Sequence, residues 1–174
     1  MQIPKFKYNP NPIETECLEK SDKICEVCNK KQGYIATSIM SSVDDIYDVC
    51  PWCIADGSAT KKHDGEFVVH IENAESLSTE VLQELSYRTV AYPAYQELTW
   101  LTHCNDGCEF LGHAREQDFK YISEEEIQRL LDENTFTKEN IESLRTSNKM
   151  LELPYLLKFK CIHCNELKFL VDYD

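Results

Sequence analysis

The sequence predicts an α+β fold of small antiparallel sheets or hairpins of zinc-ribbon or knuckle type, with a few short helices, organised by two four-cysteine zinc sites. Three observations predict it. Eight of the nine cysteines fall into four close pairs, Cys25/Cys28, Cys50/Cys53, Cys104/Cys108 and Cys161/Cys164, and two such pairs on tight turns cage one Zn²⁺ tetrahedrally. Strand-like segments flank most of the pairs. Capped amphipathic patterns occur only as short stretches between them. With 174 residues, 42% of them hydrophobic, the chain can bury only a modest core, so metal ligation takes over part of the stabilisation. The reading is of one compact unit over 1–174. An arm and a first zinc module span 1–63, a helical connection spans 64–96, and a second zinc module spans 97–174 with a helical insertion at 112–155.

Residues 1–20 read as an extended arm, because Asn9-Pro10-Asn11-Pro12 disfavours helix before each proline. Gly33 to Ile39 is β-rich and follows the first cysteine pair. Val43 to Val49 is acidic and leads into the second pair, after which Ile54 to Ala59 reads as a turn or one helical turn ending near Gly57. Ser78 to about Tyr87 reads as a helix with Ser78 as N-cap and an apolar face of Val81, Leu82 and Leu85. Tyr92-Pro93-Ala94-Tyr95 reads as a loop. Glu97 to Thr102 is a strand entering the third pair, and Glu109-Phe110-Leu111 the strand leaving it. Ser123-Glu124-Glu125-Glu126 predicts a capping box, Glu126 reaching back to the amide of Ser123, ahead of a buried stripe of Ile127, Leu130 and Leu131. A second short helix follows Thr137, with Ile141 and Leu144 inward. Leu156 to Lys160 and Leu167 to Tyr173 are strands about the fourth pair.

The first expected site joins Cys25 and Cys28 to Cys50 and Cys53 across 21 intervening residues. The second joins Cys104 and Cys108 to Cys161 and Cys164 across 52, on the ground that each pair lies between strand-like segments. His103 or His163, each beside a pair, offers an alternative ligand in place of a cysteine, or covers the site from behind. Two structural Zn²⁺ ions are the expected cofactors, although a tetrathiolate also suits iron. Four thiolates close a metal's coordination sphere, whereas a catalytic zinc keeps a position for water. Cys50-Pro51-Trp52-Cys53 resembles half of a deaminase signature but has no upstream His-x-Glu. A thioredoxin-type dithiol would open a helix after a strand, without a second pair competing for metal. No catalytic or organic-cofactor residue is assigned. Cys17 reads as a spectator thiol, His63, His70 and His113 as ordinary surface or core histidines, and Trp52 and Trp100 as covers that exclude water from the sites.

The formal net charge is −13, and eight thiolates would outweigh two Zn²⁺ and deepen it. Such a chain repels a phosphate backbone, and Lys5/Lys7, Lys30/Lys31 and Lys61/Lys62 are doublets rather than a basic stripe, so nucleic acid is not an expected partner. The first ten residues show no apolar run of a signal peptide, and no stretch approaches the roughly 20 apolar residues that span a bilayer. A cytoplasmic protein with reduced cysteines is expected, rather than a secreted disulfide framework.

Five blocks of the sequence together resemble one family: Phe6-Lys7-Tyr8-Asn9-Pro10-Asn11-Pro12, the first Cys-x2-Cys followed by Gly33-Tyr34, Cys50-Pro51-Trp52-Cys53-Ile54-Ala55-Asp56-Gly57-Ser58-Ala59, His103-Cys104-Asn105-Asp106-Gly107-Cys108-Glu109-Phe110-Leu111-Gly112, and Phe159-x-Cys161-x2-Cys164 with Val171-Asp172-Tyr173-Asp174. They resemble the CbrC-like family of uncharacterised bacterial proteins, named after a colicin-tolerance protein. The resemblance implies a cytoplasmic bacterial protein with cysteine-bound metal, and no defined chemistry. The expected role is a protein-interaction or stress-response factor with a basic protein partner. The alternative is an enzyme whose active site lies between the two zinc modules.

Overall fold

A computed structural model describes residues 2–94, 97–133, 135–147 and 149–172. Residues 2–17 form the expected arm without regular structure, but the arm is pinned. Phe6 and Tyr8 are buried, the amide of Phe110 donates to the carbonyl of Tyr8 at 2.8 Å, and Asn9 Nδ2 donates to the carbonyl of Val90 at 3.0 Å. Strand β1 (Leu18–Lys20) pairs antiparallel with β2 (Tyr34–Ala36) and encloses the first cysteine pair.

Helix α1 (Pro51–Ala55) starts earlier than the expected turn after Cys53 and is followed by α2 (Ser58–His63). Cys50 is the N-cap and Pro51 supplies the first helical residue, where its missing N–H costs nothing. Gly57 separates the two helices at φ 72°, a left-handed conformation that glycine adopts without steric cost.

The expectation that the small sheets are antiparallel fails once. β3 (His70–Ile71) and β4 (Thr99–Trp100) run parallel, because α3 (Thr79–Arg88) supplies the crossover that parallel pairing requires. Ser78 caps α3 as expected, accepting from the amide of Val81 at 3.3 Å. Ala91 to Ala94 forms no strand or helix, while Tyr95 lies outside the described residues.

The largest sheet has the order β5-β6-β7-β8, all antiparallel, with β5 (Thr102–His103), β6 (Asp106–Arg115), β7 (Glu152–Cys161) and β8 (Leu167–Val171). The predicted strand over Glu97–Thr102 is thus split between two sheets at Leu101. β6 runs on past Leu111 through a register shift between Phe110 and His113, where Gly112 at φ 83° takes up the irregularity. Between β6 and β7 lie a 3₁₀ turn at Glu116–Tyr121, α4 (Glu124–Asp132) and α5 (Lys138–Thr146).

Successive residues of a strand face opposite sides of its sheet. Leu157 and Phe159 therefore join the larger core, which reaches from the arm through Trp100 and Phe110, while Leu156 joins a second core with Phe119, Leu130, Ile141 and Phe169. Tyr92, Trp100, Phe110 and Phe159 form an aromatic cluster, Tyr92 stacking on Phe110 at a centroid distance of 4.9 Å.

The capping box at Ser123 forms only in half. Ser123 Oγ accepts from the amide of Glu126 at 3.1 Å. Glu126, however, turns inward, fully buried, and accepts from the amide of Phe169 on β8 at 2.8 Å. Its carboxylate also meets Arg129 and Lys168, a stronger set of partners than one backbone amide at a helix end. Arg129 donates to the carbonyl of Phe169 as well, so two α4 side chains saturate that stretch of the edge strand. The reciprocal capping box forms instead at α5, between Thr137 and Asn140.

Candidate metal centres

Among the described residues, two groups of donor atoms converge, each with all four atoms within 4.8 Å of one another. The first contains Cys25, Cys28, Cys50 and Cys53. The Sγ atoms of Cys25 and Cys53 are 3.9 Å apart, as are those of Cys28 and Cys50. Four thiolates ~2.3 Å from one zinc at tetrahedral angles lie ~3.8 Å from each other, so the donor set fits that ion.

Its two halves are built differently. Cys25 to Lys30 forms a knuckle in which the amide of Asn29 donates to the carbonyl of Cys25 at 2.8 Å and the amide of Cys25 donates to the carbonyl of Lys30 at 3.0 Å. Asn29 takes a left-handed conformation, φ 57°, which asparagine tolerates better than most residues. Cys50 and Cys53 come instead from the start of α1. The helix-opening criterion for a redox dithiol is therefore met, but both sulphurs face the first knuckle. The amide of Cys50 donates to Cys25 Sγ at 3.3 Å. The Cys25 thiol is held down, chiefly by its hydrogen bond with Cys50 and, against burial, by the backbone amides of Cys28, Cys50 and Val27. Lys62 Nζ reaches across from α2 to the carbonyls of Glu26 and Val27 at 3.0 and 2.9 Å, so the second helix braces the backbone between Cys25 and Cys28. Trp52 is half-buried against the core and Trp100 fully buried.

The second group contains His103, Cys104, Cys161 and Cys164. Cys161 to Glu166 repeats the first knuckle. The amide of Asn165 donates to the carbonyl of Cys161 at 3.0 Å and that of Cys161 to the carbonyl of Glu166 at 2.8 Å, with Asn165 at φ 64°. The amide of His163 donates to Cys161 Sγ at 3.4 Å. Burial opposes ionisation of Cys161, but the amides of Cys164 and His163 and the His103 side chain outweigh it and hold the thiol at about 6.

Facing this knuckle is the β5–β6 hairpin. His103 pairs with Asp106, and the two loop residues Cys104 and Asn105 have φ values of 52° and 56°, the paired positive values of a type I′ turn. Cys104 sits at the tip, exposed, and His103 Nδ1 lies 3.3 Å from the sulphurs of both Cys104 and Cys164.

Cys108, expected among these ligands, is not in the group. It lies further along β6, opposite Cys161 in the ladder, and is fully buried. Burial, and next the neighbouring Cys161, push its thiol far up. His163 is not in the group either; its Nε2 meets Asp106 Oδ2 at 3.0 Å. Asp106 also accepts from Tyr8 Oη at 2.5 Å, Lys7 Nζ at 3.0 Å and the amide of Gly107 at 2.8 Å. Burial raises this carboxyl, but its bonds to Tyr8, Lys7 and His163 more than offset that, and they tie the arm to the second centre. Of the remaining candidates, Cys17 is buried with its thiol pushed up to about 11 by that burial. His63 pairs with Asp44, and His70 and His113 are exposed.

Sequence reasoning missed Asn29, Asn105 and Asn165, Lys62, Asp106 and Glu166. One signal for the asparagines was visible: Cys28, Cys104 and Cys164 are each followed directly by Asn, and Cys108 is not.

The model of a family described as an uncharacterised protein family (UPF0167) matches residues 3–173. A UPF0167 protein of Pseudomonas aeruginosa, PA1536, is 26% identical over 98% of this chain and 97% of its own length. UPF0167 proteins of Mycobacterium bovis (Mb2317) and Mycobacterium tuberculosis (MT2352) are each 30% identical over 64% of this chain and 60% of theirs. No solved structure matches. No helix among the described residues is long and apolar enough to cross a membrane.

Proposed function

The chain belongs to the uncharacterised protein family UPF0167, a membership that assigns no chemistry, and from the geometry we propose a two-zinc scaffold protein that acts by binding another protein. The observation that carries this reading is the convergence of two separate four-donor groups. A complete tetrahedral donor set closes the metal and stabilises the fold, rather than presenting a reactive water. Cys25, Cys28, Cys50 and Cys53 hold one ion, and the second group holds the other. The net charge of −13 favours a basic protein partner through complementary charge. A cytoplasmic stress-response role, of the colicin-tolerance kind that the family resemblance suggests, accommodates such an adaptor.

Elemental analysis of untagged protein, with native mass, tests the metal part, two zinc ions per chain being expected. Crosslinking in living cells tests the partner part. A basic protein captured by the native chain, and lost at high salt, supports it. Capture of nucleic acid instead overturns it. Survival of a deletion strain under colicin challenge, unchanged from the parent, would remove the tolerance role.

The enzymatic reading is favoured by one feature, a cavity of about 390 Å³ beside the second group, lined by Glu72, Glu125, His103 and Cys104 among others. Its basic members Arg129 and Lys168 are already paired with Glu126, and Glu72 accepts from the amide of Thr102 at 3.1 Å. These engagements leave the scaffold reading the stronger.

A further inference from the structure

We propose that the second centre is a three-cysteine, one-histidine site. Cys104, Cys161, Cys164 and His103 Nδ1 bind the metal, Cys108 remains a buried thiol off the metal, and Glu166 positions the His103 imidazole. The proposal rests on the two-zinc reading and goes beyond it by keeping Cys108 off the metal, naming Nδ1 as the imidazole donor and giving Glu166 the task of orienting it.

Four observations converge. The first is distance. A zinc with a sulphur at ~2.3 Å and an imidazole nitrogen at ~2.0 Å, at the tetrahedral angle, sets them ~3.5 Å apart. His103 Nδ1 lies 3.3 Å from two of the three sulphurs, and the four donor atoms lie within one 4.8 Å group.

The second is the rigidity around Cys108. Its amide donates to the carbonyl of Leu101 at 3.0 Å, and its carbonyl accepts from Trp100 Nε1 at 2.9 Å. Trp100 is itself wedged into the aromatic cluster, 5.6 Å from the Phe159 ring. Bringing Cys108 onto the metal would require breaking the ladder beside a close-packed core.

The third is turn chemistry. The cysteines at the tip of the hairpin and at the ends of both knuckles, Cys104, Cys28 and Cys164, each precede an asparagine with positive φ. Cys108 stands within a regular strand and has no such turn.

The fourth is what lies behind the imidazole. His103 Nε2 faces Glu166 Oε2 at 3.9 Å, an ion-pair distance rather than a hydrogen bond. Ser123 Oγ fixes the other carboxylate oxygen at 2.6 Å. A carboxylate behind the non-ligating nitrogen favours a proton there and leaves Nδ1 free to bind. Glu166 closes the Cys161–Glu166 knuckle and Ser123 caps α4, so the helical segment between β6 and β7 helps to orient the ligand.

Cobalt(II) titration of the metal-free full chain, followed by its visible absorption, tests the assignment. Two cobalt ions per chain are expected, with Cys108→Ala unchanged in both stoichiometry and spectrum. His103→Ala should lose or weaken the second ion at least tenfold while keeping the first. His103→Cys should restore two ions and shift the second ion's bands to lower energy, as a fourth thiolate replaces nitrogen. Glu166→Ala should weaken the second ion ~10–100-fold, the usual effect of removing a group that orients a ligand, without altering the first. Zinc X-ray absorption on the wild-type chain needs no variant; it should give a mean of about 3.5 sulphurs per zinc, against about 4 for two four-cysteine sites.

Two ions in the wild type, with Cys108→Ala binding one and His103→Ala binding two, would overturn the ligand assignment and leave the two-zinc reading standing. A wild-type chain that binds a single ion would overturn both. A mean near 4 sulphurs would do the same to the histidine ligand even if every variant failed to fold. Loss of both ions equally in Glu166→Ala would overturn its positioning role.

Discussion

Replacing Glu126 with alanine should destabilise the protein by about 3–5 kcal/mol, the usual cost of removing one partner from a buried ionic cluster. The carboxylate is wholly buried. It accepts from Arg129 Nε at 2.9 Å, Arg129 Nη2 at 2.6 Å and the amide of Phe169 at 2.8 Å, and meets Lys168 Nζ at 2.7 Å. Alanine leaves one guanidinium, one ammonium and one β8 amide short of an acceptor in a region largely removed from water. Against a total stability of about 5–15 kcal/mol, that loss is large. Glutamine keeps an acceptor for Phe169 but loses the charge, and should cost less. Urea unfolding of the zinc-loaded protein at pH 7, followed by circular dichroism, measures both differences. The pH dependence has a definite sign. Burial pushes the Glu126 carboxyl up, but Arg129 and then Lys168 outweigh it, so its folded value lies below the ordinary one. The stabilisation is therefore present at neutral pH. It is lost as pH falls from about 4.3, the unfolded carboxylate value, through the lower folded value. The gap between wild type and Glu126→Ala should narrow over that window. A loss under about 1 kcal/mol at pH 7, or a gap that widens on acidification, would refute the assignment of Glu126 as a buried charge hub.

The remaining predictions concern the metal centres and the arm. Cys53→Ser should abolish the first ion and, with structural zinc contributing on the order of 10 kcal/mol to folding, leave the chain without native near-ultraviolet dichroism; a folded variant with full metal content would contradict this. A chelator should withdraw zinc in two phases, the second centre first, because Cys104 and Cys164 are exposed whereas three of the first centre's cysteines are buried. Release followed by a colorimetric zinc dye would show a single phase if this difference in exposure did not matter. Gly107→Ala should cost about 1–3 kcal/mol by overpacking, since its Cβ would stand 2.8 Å from the Tyr8 ring and 3.1 Å from Leu85. An unchanged melting temperature would show that the arm is not held as described.

What could be read from residue order was what is local. Ser78, Ser123 and Thr137 mark helix starts because a side chain three residues from an amide can cap it without reference to the rest of the chain. Both Cys-x2-Cys knuckles are closed by backbone hydrogen bonds within six residues, so spacing alone located them. The first centre's four cysteines were legible because two Cys-x2-Cys pairs in succession have few other uses, whatever local structure carries them. The second centre was legible only in part. Spacing alone does not separate Cys104 from Cys108, four positions apart, and the choice between them depends on a two-residue hairpin and on the pairing of Cys108 in β6 with Cys161 in β7 across 52 intervening residues. That register turns Cys108 toward the core and leaves His103 beside the Cys161–Glu166 knuckle. The fate of Glu126 was decided in the same way, by the arrival of β8 with Lys168 and Phe169, the latter 43 residues downstream. The sequence by itself determined the local turns, the helix caps and the close cysteine pairs that could serve a metal, since those need only neighbouring atoms. Tertiary structure alone decided which donors meet, because strand register moves a side chain from one face or rung of a sheet to another and no local preference specifies it.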